Sequence, residues 1–259
     1  MRKLFATVAV MAAAALTMPV TTAQTVDEVI AKNLEARGGK AKMDAVKTAR
    51  ATGRMTIGPG MEAPFSIQWK RGADAAAWMI RLEFTVQGMT GIQAYDGATG
   101  WSVMPFMGNP EPEKMSEEDL KNIIDTADWG GPLVDYKAKG NQVELLGKEA
   151  VEGTPVWKLK ITRKSGDVEI SYLDAEAFLE IRQEGKRKVR GQEMEYENSV
   201  GDYKAVEGLM LAHSMESKAK GTPISQTMTI DKIEINPALD EASFKMPAPK
   251  AAPQEPAKK

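Results

Sequence analysis

Two stretches of the chain alternate between apolar and polar residues, and this period of two limits the fold more than any other feature. In the first stretch, Phe65, Ile67 and Trp69 alternate with Ser66 and Gln68. Alternation of this kind predicts antiparallel strands with one apolar face and one face in water. In the second stretch the apolar residues with the same spacing are Trp78, Ile80, Leu82, Phe84 and Val86.

Similar strand patterns continue through most of the chain and are separated by Gly-rich turns. An Asp-Gly pair at residues 96 and 97 lies between two apolar runs within Ala94–Phe106, which is a strong hairpin signal. We expect this hairpin to bring three aromatic residues close together: Tyr95, Trp101 and Phe106. The patterns predict roughly ten strands, and therefore a mainly β fold with a few helices (α+β).

The later strands have weaker patterns. Val168, Ile170 and Tyr172 alternate with polar residues, which predicts one of these strands. Gly185 is interpreted as a turn between two strands. The basic run from Lys186 to Arg190 is interpreted as a solvated hairpin, or alternatively as a docking patch for anionic lipid headgroups.

Two segments have a helical period instead. The first begins with a capping-box pattern at Thr25 and Glu28 and ends at Gly38-Gly39, before a short helical turn. The second begins at Ser116, and its apolar positions recur at helical spacing up to Ala127. A sheet of this many strands must curl, close or split. We therefore expect the helices to cover one concave apolar face, with the second acting as a lid.

The two ends of the chain differ from the rest. Residues 1–23 have the charged start, apolar run and small-residue cleavage site of a secretory signal peptide. A transmembrane anchor is the weaker interpretation, because spanning a bilayer takes about 20 apolar residues. Residues 249–259 are mostly Pro, Ala and Lys, which predicts a disordered tail. The region between them, residues 24–248, is expected to form one domain.

Composition excludes several classes of function. The chain has no cysteine, which excludes disulfides and thiolate metal sites. Its net charge is −2, whereas binding to nucleic acid phosphates needs a basic surface. His213 is the only histidine. We interpret it as a surface residue of a strand, because no motif for nucleophilic catalysis accompanies it. We expect no enzymatic activity and no cofactor.

Several short motifs resemble one known family. The most specific is Tyr95-Asp96-Gly97 followed by Trp101 and a Pro-Phe pair, and another is Gln68-Trp69-Lys70-Arg71. Gly38-Gly39 near the start and Phe244-Lys245-Met246-Pro247 near the end also match. These motifs are similar to those of the outer-membrane lipoprotein-sorting carriers, the LolA-like periplasmic lipid carriers. The resemblance extends over most of residues 24–248.

The resemblance implies a strongly curved antiparallel half-barrel whose concave apolar face holds acyl chains under helices. In the family, an arginine at the position of Arg71 holds the lid closed through backbone carbonyls. A guanidinium suits that task because it has five donors in a fixed fork. We expect the apolar cavity to be lined by Phe65, Ile67, Trp69, Trp78, Ile80, Leu82, Phe84 and Trp101.

The function that the resemblance implies is a periplasmic carrier that moves acyl chains of lipoproteins or lipids toward the outer membrane. Membrane-bound donor and acceptor proteins would then be partners, and the protein would act as a monomer. Nucleic acid is not an expected partner. The alternative function is a non-enzymatic sensor that reads lipid or lipoprotein state and signals to a partner.

Overall fold

The computed structural model describes residues 24–58, 60–72, 77–189, 191–222 and 225–248. The predicted signal peptide and the predicted tail lie outside these residues. The helices are α1 (Val26–Ala36), α2 (Lys40–Ala45) and α3 (Glu117–Ala127), and two short 3-10 helices span Pro105–Met107 and Glu241–Phe244.

Fifteen strands make up most of the described chain. Their bounds are β1 (Thr48–Gly58), β2 (Met61–Arg71), β3 (Trp78–Val86), β4 (Met89–Tyr95), β5 (Gly100–Met104), β6 (Asn109–Lys114), β7 (Gln142–Val151), β8 (Thr154–Thr162), β9 (Val168–Asp174), β10 (Glu180–Val189), β11 (Gln192–Gly201), β12 (Lys204–Val206), β13 (Leu209–Leu211), β14 (Ser214–Ala219) and β15 (Ser225–Ile235).

Thirteen of these strands form one antiparallel sheet, in the order β6-β5-β4-β3-β2-β1-β15-β14-β11-β10-β9-β8-β7. The first and last strands of the chain meet at its centre, where Ala49 of β1 lies opposite Ile235 of β15. The outer strands β6 and β7 are joined in sequence through α3. The remaining strands, β12 and β13, pair with each other.

The sheet is strongly curved around α3. This helix contacts β3, β4 and β5 and also β10. In a flat sheet, β3 and β10 would lie roughly 29 Å apart at about 4.8 Å per strand. A helix is only about 10 Å in diameter, so the sheet must wrap around α3 for both strands to touch it. The predicted α+β half-barrel is therefore confirmed.

The helices begin and end where the sequence predicts. Thr25 and Glu28 form the reciprocal capping box of α1, and Ser116 caps α3 by accepting a hydrogen bond from the Asp119 amide. After α1 the chain turns at Gly38, which has a φ of 108°. A Cβ at Gly38 would lie 2.3 Å from the Gly208 carbonyl oxygen, so the close contact between α1 and the β12–β13 hairpin requires glycine.

The Asp-Gly turn forms a hairpin as predicted, but it does not gather the three aromatic residues. Tyr95 lies opposite Gly100, and Trp101 lies opposite Ala94. Because neighbouring residues of a strand point to opposite faces, this register places Tyr95 and Trp101 on different faces of the sheet. Among the described residues, Phe106 is the one of the three whose ring pairs with another aromatic ring, that of Phe84, at 5.5 Å between centroids.

Candidate functional site

The predicted cavity residues of β2 and β3 share one face of the sheet. Residues directly opposite each other in an antiparallel pair point to the same face, and the first and third residues of a strand segment do so as well. The opposed pairs are Phe65–Phe84, Ile67–Leu82, Trp69–Ile80 and Arg71–Trp78. This is the concave face, because the same residues pack against Ile123 and Ala127 of α3.

In this conformation the concave face is covered rather than open. Phe65, Ile67, Trp78 and Ile80 are buried, and Ile80 is completely inaccessible. The side chains that cover them come from α2, from the residue that follows it and from α3, and include Met43, Val46, Leu120, Ile123 and Ala127. The alternation therefore predicted the shared face correctly, and α3 packs against that face.

Trp101 does not line this face, so that expectation is wrong. Its partner Ala94 lies opposite Arg81, and Arg81 lies opposite Gln68, whose side chain points away from the concave side. The indole of Trp101 is fully buried on the convex side and donates a hydrogen bond to the Phe244 carbonyl at 2.8 Å. The reason is that the β4–β5 turn pairs Trp101 with Ala94, and residues opposite each other point to the same face, which here is the convex one.

Helix α3 presents a polar face to the opposite half of the sheet. The Lys121 ammonium lies 2.6 Å from the Asp167 carboxylate in the β8–β9 turn, and Asp125 lies 3.4 Å from Arg163. Glu118 accepts a hydrogen bond from the Gly191 amide at 3.1 Å, in the β10–β11 turn. The helix thus joins the two halves of the sheet through apolar contacts on one side and a few polar contacts on the other.

Arg71 does not hold α3 in the way that the resemblance implies. Its guanidinium lies 5.0 Å from the ring centroid of Trp78. Among the described residues its side chain makes no hydrogen bond, and its buried Nε has no partner. The bond to the lid comes from Trp69, whose Nε1 donates to the Thr126 carbonyl at 3.2 Å. The reason is that Arg71 stacks on Trp78, and Trp78 in turn stacks on Trp129 just after α3.

A second apolar cluster lies at the far end of the sheet. Val29 and Ile30 of α1 pack there with Leu133 and with inward residues of the last strands. Those strand residues are Trp157, Leu159, Ile161 and Leu173. The concave side therefore holds two apolar regions, one under α3 and one under α1.

Polar side chains also lie on the concave side, next to the region under α1. Glu169 of β9 is 5 % exposed and lies 3.2 Å from Arg163, while Gln183 donates a hydrogen bond to it at 2.8 Å. Burial raises the pKa of Glu169 to about 7, although the positive charge of Arg163 opposes the shift. Burial also raises the pKa of Asp125, again against the charge of Arg163. The polar contacts of α3 are thus continuous with a buried polar network.

The sequence pattern did not predict this network, because the polar residues of β9, and not its alternating apolar residues, point to the concave side. Glu169, Ser171 and Leu173 share the face of Leu159 and Ile161, whereas Val168 is 43 % exposed. The predicted strand is present, and its apolar residues Val168, Ile170 and Tyr172 lie on the opposite face, where Tyr172 is nevertheless buried. The pairing of β8 with β9 would have predicted the buried position of Glu169, because this residue lies opposite Ile161.

His213, metal binding and membrane spanning were the remaining candidates for a functional feature. His213 is buried at 4 % exposure rather than on the surface, and its Nδ1 lies 2.9 Å from the Leu211 carbonyl oxygen. In the described part of the chain, no group of three or more His, Asp or Glu side chains is arranged to hold a metal ion. No helix among the same residues is long and apolar enough to cross a membrane.

The protein is similar to known proteins in structure rather than in sequence. No family model and no curated protein matches this sequence. A DUF1329 family protein from Desulfovibrio piger superimposes with a TM-score of 0.62 at 13 % identity, covering 86 % of this chain and 98 % of that one. A putative outer membrane lipoprotein-sorting protein domain from Vibrio parahaemolyticus gives a TM-score of 0.57 at 16 % identity, covering 83 % and 94 %.

A LolA superfamily protein from Nitrosomonas europaea is also similar, with a TM-score of 0.54 at 11 % identity over 86 % of this chain and 98 % of that one. At these identities the likeness shows the fold, and the similarity spans nearly the whole of each relative. The resemblance seen in the hairpin and strand motifs is thereby confirmed for the architecture. The chain has the LolA-like fold.

Proposed function

We propose that this protein is a periplasmic carrier that binds acyl chains of lipoproteins or lipids between its curved sheet and α3 and moves them toward the outer membrane. The observation that carries the proposal is the concave apolar face of β2 and β3, covered by a helix that contacts both halves of the sheet. Moving that helix would expose a continuous apolar surface. The lipoprotein-sorting and LolA relatives share this fold.

The energy balance favours exchange of α3 for an acyl chain. Moving the helix would expose Leu120, Ile123 and Ala127, and burying a large apolar side chain stabilises by about 1.5–3 kcal/mol. An acyl chain gains about 0.8 kcal/mol per buried methylene, so a chain of ~16 carbons gains roughly 12 kcal/mol. Relative to water, the ligand therefore gains more than these apolar contacts of α3 contribute, while the same contacts and a few polar ones keep the empty protein closed.

One rim of the sheet suits the passage of an acyl chain. The turns after β1, β3 and β5 lie at the same end of this antiparallel half, and Met61, Met89 and Met107 lie in them or directly after them, at 51 %, 38 % and 59 % exposure. Residues 84–95 and 97–110 contain no charged residue. Phe84 and Val86 connect the β3–β4 turn to the cluster under α3. Flexible Met side chains adapt to varied apolar ligands.

The compartment is proposed from residues 1–23, whose sequence has the order of a cleaved export signal. The domain would then span residues 24–248, followed by a disordered tail. N-terminal sequencing of protein from the periplasmic fraction should give Gln24 or a neighbouring residue. Recovery of intact Met1 from that fraction would contradict the proposal.

Two measurements test the carrier itself. Mass spectrometry of an organic extract of the purified protein should find bound lipid, and the protein should move labelled lipid between donor and acceptor vesicles. Leu82→Glu, which places a charge on the concave face, should abolish transfer. Glu216→Gln, on the opposite face of β14, is the matched control and should leave transfer intact. Bound lipid without transfer would favour a sensor instead.

A further inference from the structure

A pocket of about 220 Å³ lies where the two apolar regions of the concave side meet. Trp129 and Leu211 on its wall pack against the region under α3. Leu133 and Leu173, on the same wall, belong to the region under α1. Its volume is below the ~300–1,000 Å³ that is usual for pockets that enclose a drug-sized ligand. It is therefore large enough for a small polar group and too small for a whole lipid.

Arg37, at the end of α1, supplies a positive charge to this pocket. Its guanidinium donates one hydrogen bond, to the Gly130 carbonyl at 2.9 Å. Among the described residues no carboxylate lies within ion-pair distance of it, and its other N–H groups have no protein acceptor. A guanidinium offers five donors in a planar fork that matches the oxygens of a phosphate. Arg37 is thus a half-buried cation with most of its donors unused.

Asn33, one turn earlier on α1, faces the same pocket with an unsatisfied acceptor. The residue is 2 % exposed, and its amide nitrogen donates to the Phe178 carbonyl at 2.7 Å. Its Oδ1 is buried and has no partner in the described part of the chain. A buried acceptor without a donor costs about 1–3 kcal/mol. A hydroxyl or amine of a bound molecule would remove that cost.

Glu180 gives the pocket a second acceptor. One oxygen of its carboxyl accepts a hydrogen bond from the Ser171 hydroxyl at 2.5 Å. The backbone carbonyl of Glu180 accepts another from the Tyr203 hydroxyl at 2.7 Å, which fixes this wall of the pocket. The other carboxylate on the wall, Asp128, is neutralised by Lys139 at 2.6 Å. The other ionisable groups on the wall are the Arg37 guanidinium and the Glu180 carboxyl, which attract each other without forming a hydrogen bond, while burial raises the pKa of that carboxyl.

We propose that this pocket binds the phosphate-bearing polar head of a lipid, with the phosphate on Arg37 and a hydroxyl or amine of the head on Asn33 and Glu180. The inference rests on the proposed function and names the class of lipid. Apolar walls with a few converging polar groups are typical of ligand sites. From a head held here, an acyl chain can enter either apolar region directly, since each of them forms part of the pocket wall.

The test compares three ligands of matched chemistry by calorimetry: a lysophosphatidylethanolamine, the fatty alcohol with the same chain, and the free head glycerophosphoethanolamine. Loss of hydrogen bonds to a charged group changes affinity by about ten-fold or more. We expect the lysolipid to bind about ten-fold more tightly than the alcohol, and the free head to bind far more weakly than either.

Variants then assign the preference to the pocket. Arg37→Met should reduce lysolipid affinity about ten-fold and leave the fatty alcohol unchanged, and Arg37→Lys should fall between the two. Arg50→Met, at an arginine on the convex face that pairs with Glu234, is the matched control and should change neither affinity. Phosphorus NMR should show a shifted, broadened lysolipid signal with the native protein and an unshifted one with Arg37→Met.

The outcomes separate the two proposals. If lysolipid and alcohol bind equally well, the head pocket is refuted while the carrier proposal stands. If neither binds, the carrier proposal fails. If the free head binds as tightly as the lysolipid, the pocket serves a soluble phosphate compound and the lipid assignment is overturned. If Arg37→Met weakens lysolipid and alcohol alike, Arg37 has a structural role only.

Discussion

The indole Nε1 of Trp69 donates a hydrogen bond to the backbone carbonyl of Thr126 at 3.2 Å, and so ties the last turn of α3 to the end of β2. This bond lies two residues before Arg71, where the family resemblance places the latch. Four carbonyls at the end of a helix have no partner within the helix. A donor from the sheet can therefore stabilise the closed position of α3 without distorting the helix.

Trp69→Phe should loosen the closed position of α3. The ring remains, but the donor is lost, which costs about 1 kcal/mol and raises the population of the open form roughly five-fold. Hydrogen exchange of the amides of Glu117–Ala127 measures this directly. Arg71→Met is the matched comparison, and we expect it to change exchange much less. Faster exchange in Arg71→Met than in Trp69→Phe would restore Arg71 as the latch.

Trp101→Phe should lower stability without affecting acyl binding. The substitution leaves the Phe244 carbonyl without its donor on the convex side, at a cost of about 1–3 kcal/mol. Thermal unfolding measures the loss, and a fluorescent fatty-acid analogue measures binding at a temperature where both proteins are folded. Trp78→Phe, on the concave side, should instead alter probe affinity. A weaker probe affinity in Trp101→Phe would place that residue in the cavity after all.

Glu169 should make the protein less stable as the pH rises. Burial raises the pKa of its carboxyl to about 7 in the folded state, above its ordinary value of 4.5. Its contribution to stability is complete below pH 4.5 and is lost as the pH rises through 7. The loss is at most about 3 kcal/mol. Burial also raises the pKa of the neighbouring Asp125, which acts in the same direction.

Glu169→Gln should flatten this dependence, because an amide cannot ionise. Urea unfolding at pH 5 and pH 8 gives the free energy of unfolding for each protein. Glu193→Gln, at an exposed carboxylate that pairs with Lys186, serves as the control. Equal losses of stability between the two pH values in native protein and Glu169→Gln would show that another group is responsible.

Local signals in the sequence were sufficient to predict the helices and the strands of one half of the sheet. The capping residues Thr25 and Ser116 fixed the starts of α1 and α3, because caps act within one turn of the chain. The strands β2 and β3 were predicted with the correct face, because their apolar residues alternate without interruption. Both features depend on neighbours in sequence, which a single chain reveals directly.

The other half of the sheet could not be predicted, because the contacts that decide which residues are buried there join residues that are distant in sequence. Gly185 was interpreted as a turn, but it lies inside β10, where the ring of Tyr196 on β11 packs over it; a Cβ there would lie 2.6 Å from the Tyr196 hydroxyl oxygen. Glu169 faces the interior because Arg163 and Gln183 compensate its burial. The pocket at Arg37 likewise needs α1 and β10 to come together.

The most direct test of the account is to fix α3 in place and measure acyl binding. The chain has no cysteine, so Lys121→Cys and Asp167→Cys, whose native side chains form an ion pair, would introduce the two thiols needed for a cleavable bis-maleimide link. Each single substitution treated in the same way is a control. We predict that the linked protein binds the fatty-acid probe about ten-fold more weakly than the same protein after cleavage. Equal affinity before and after cleavage would contradict binding beneath a movable α3.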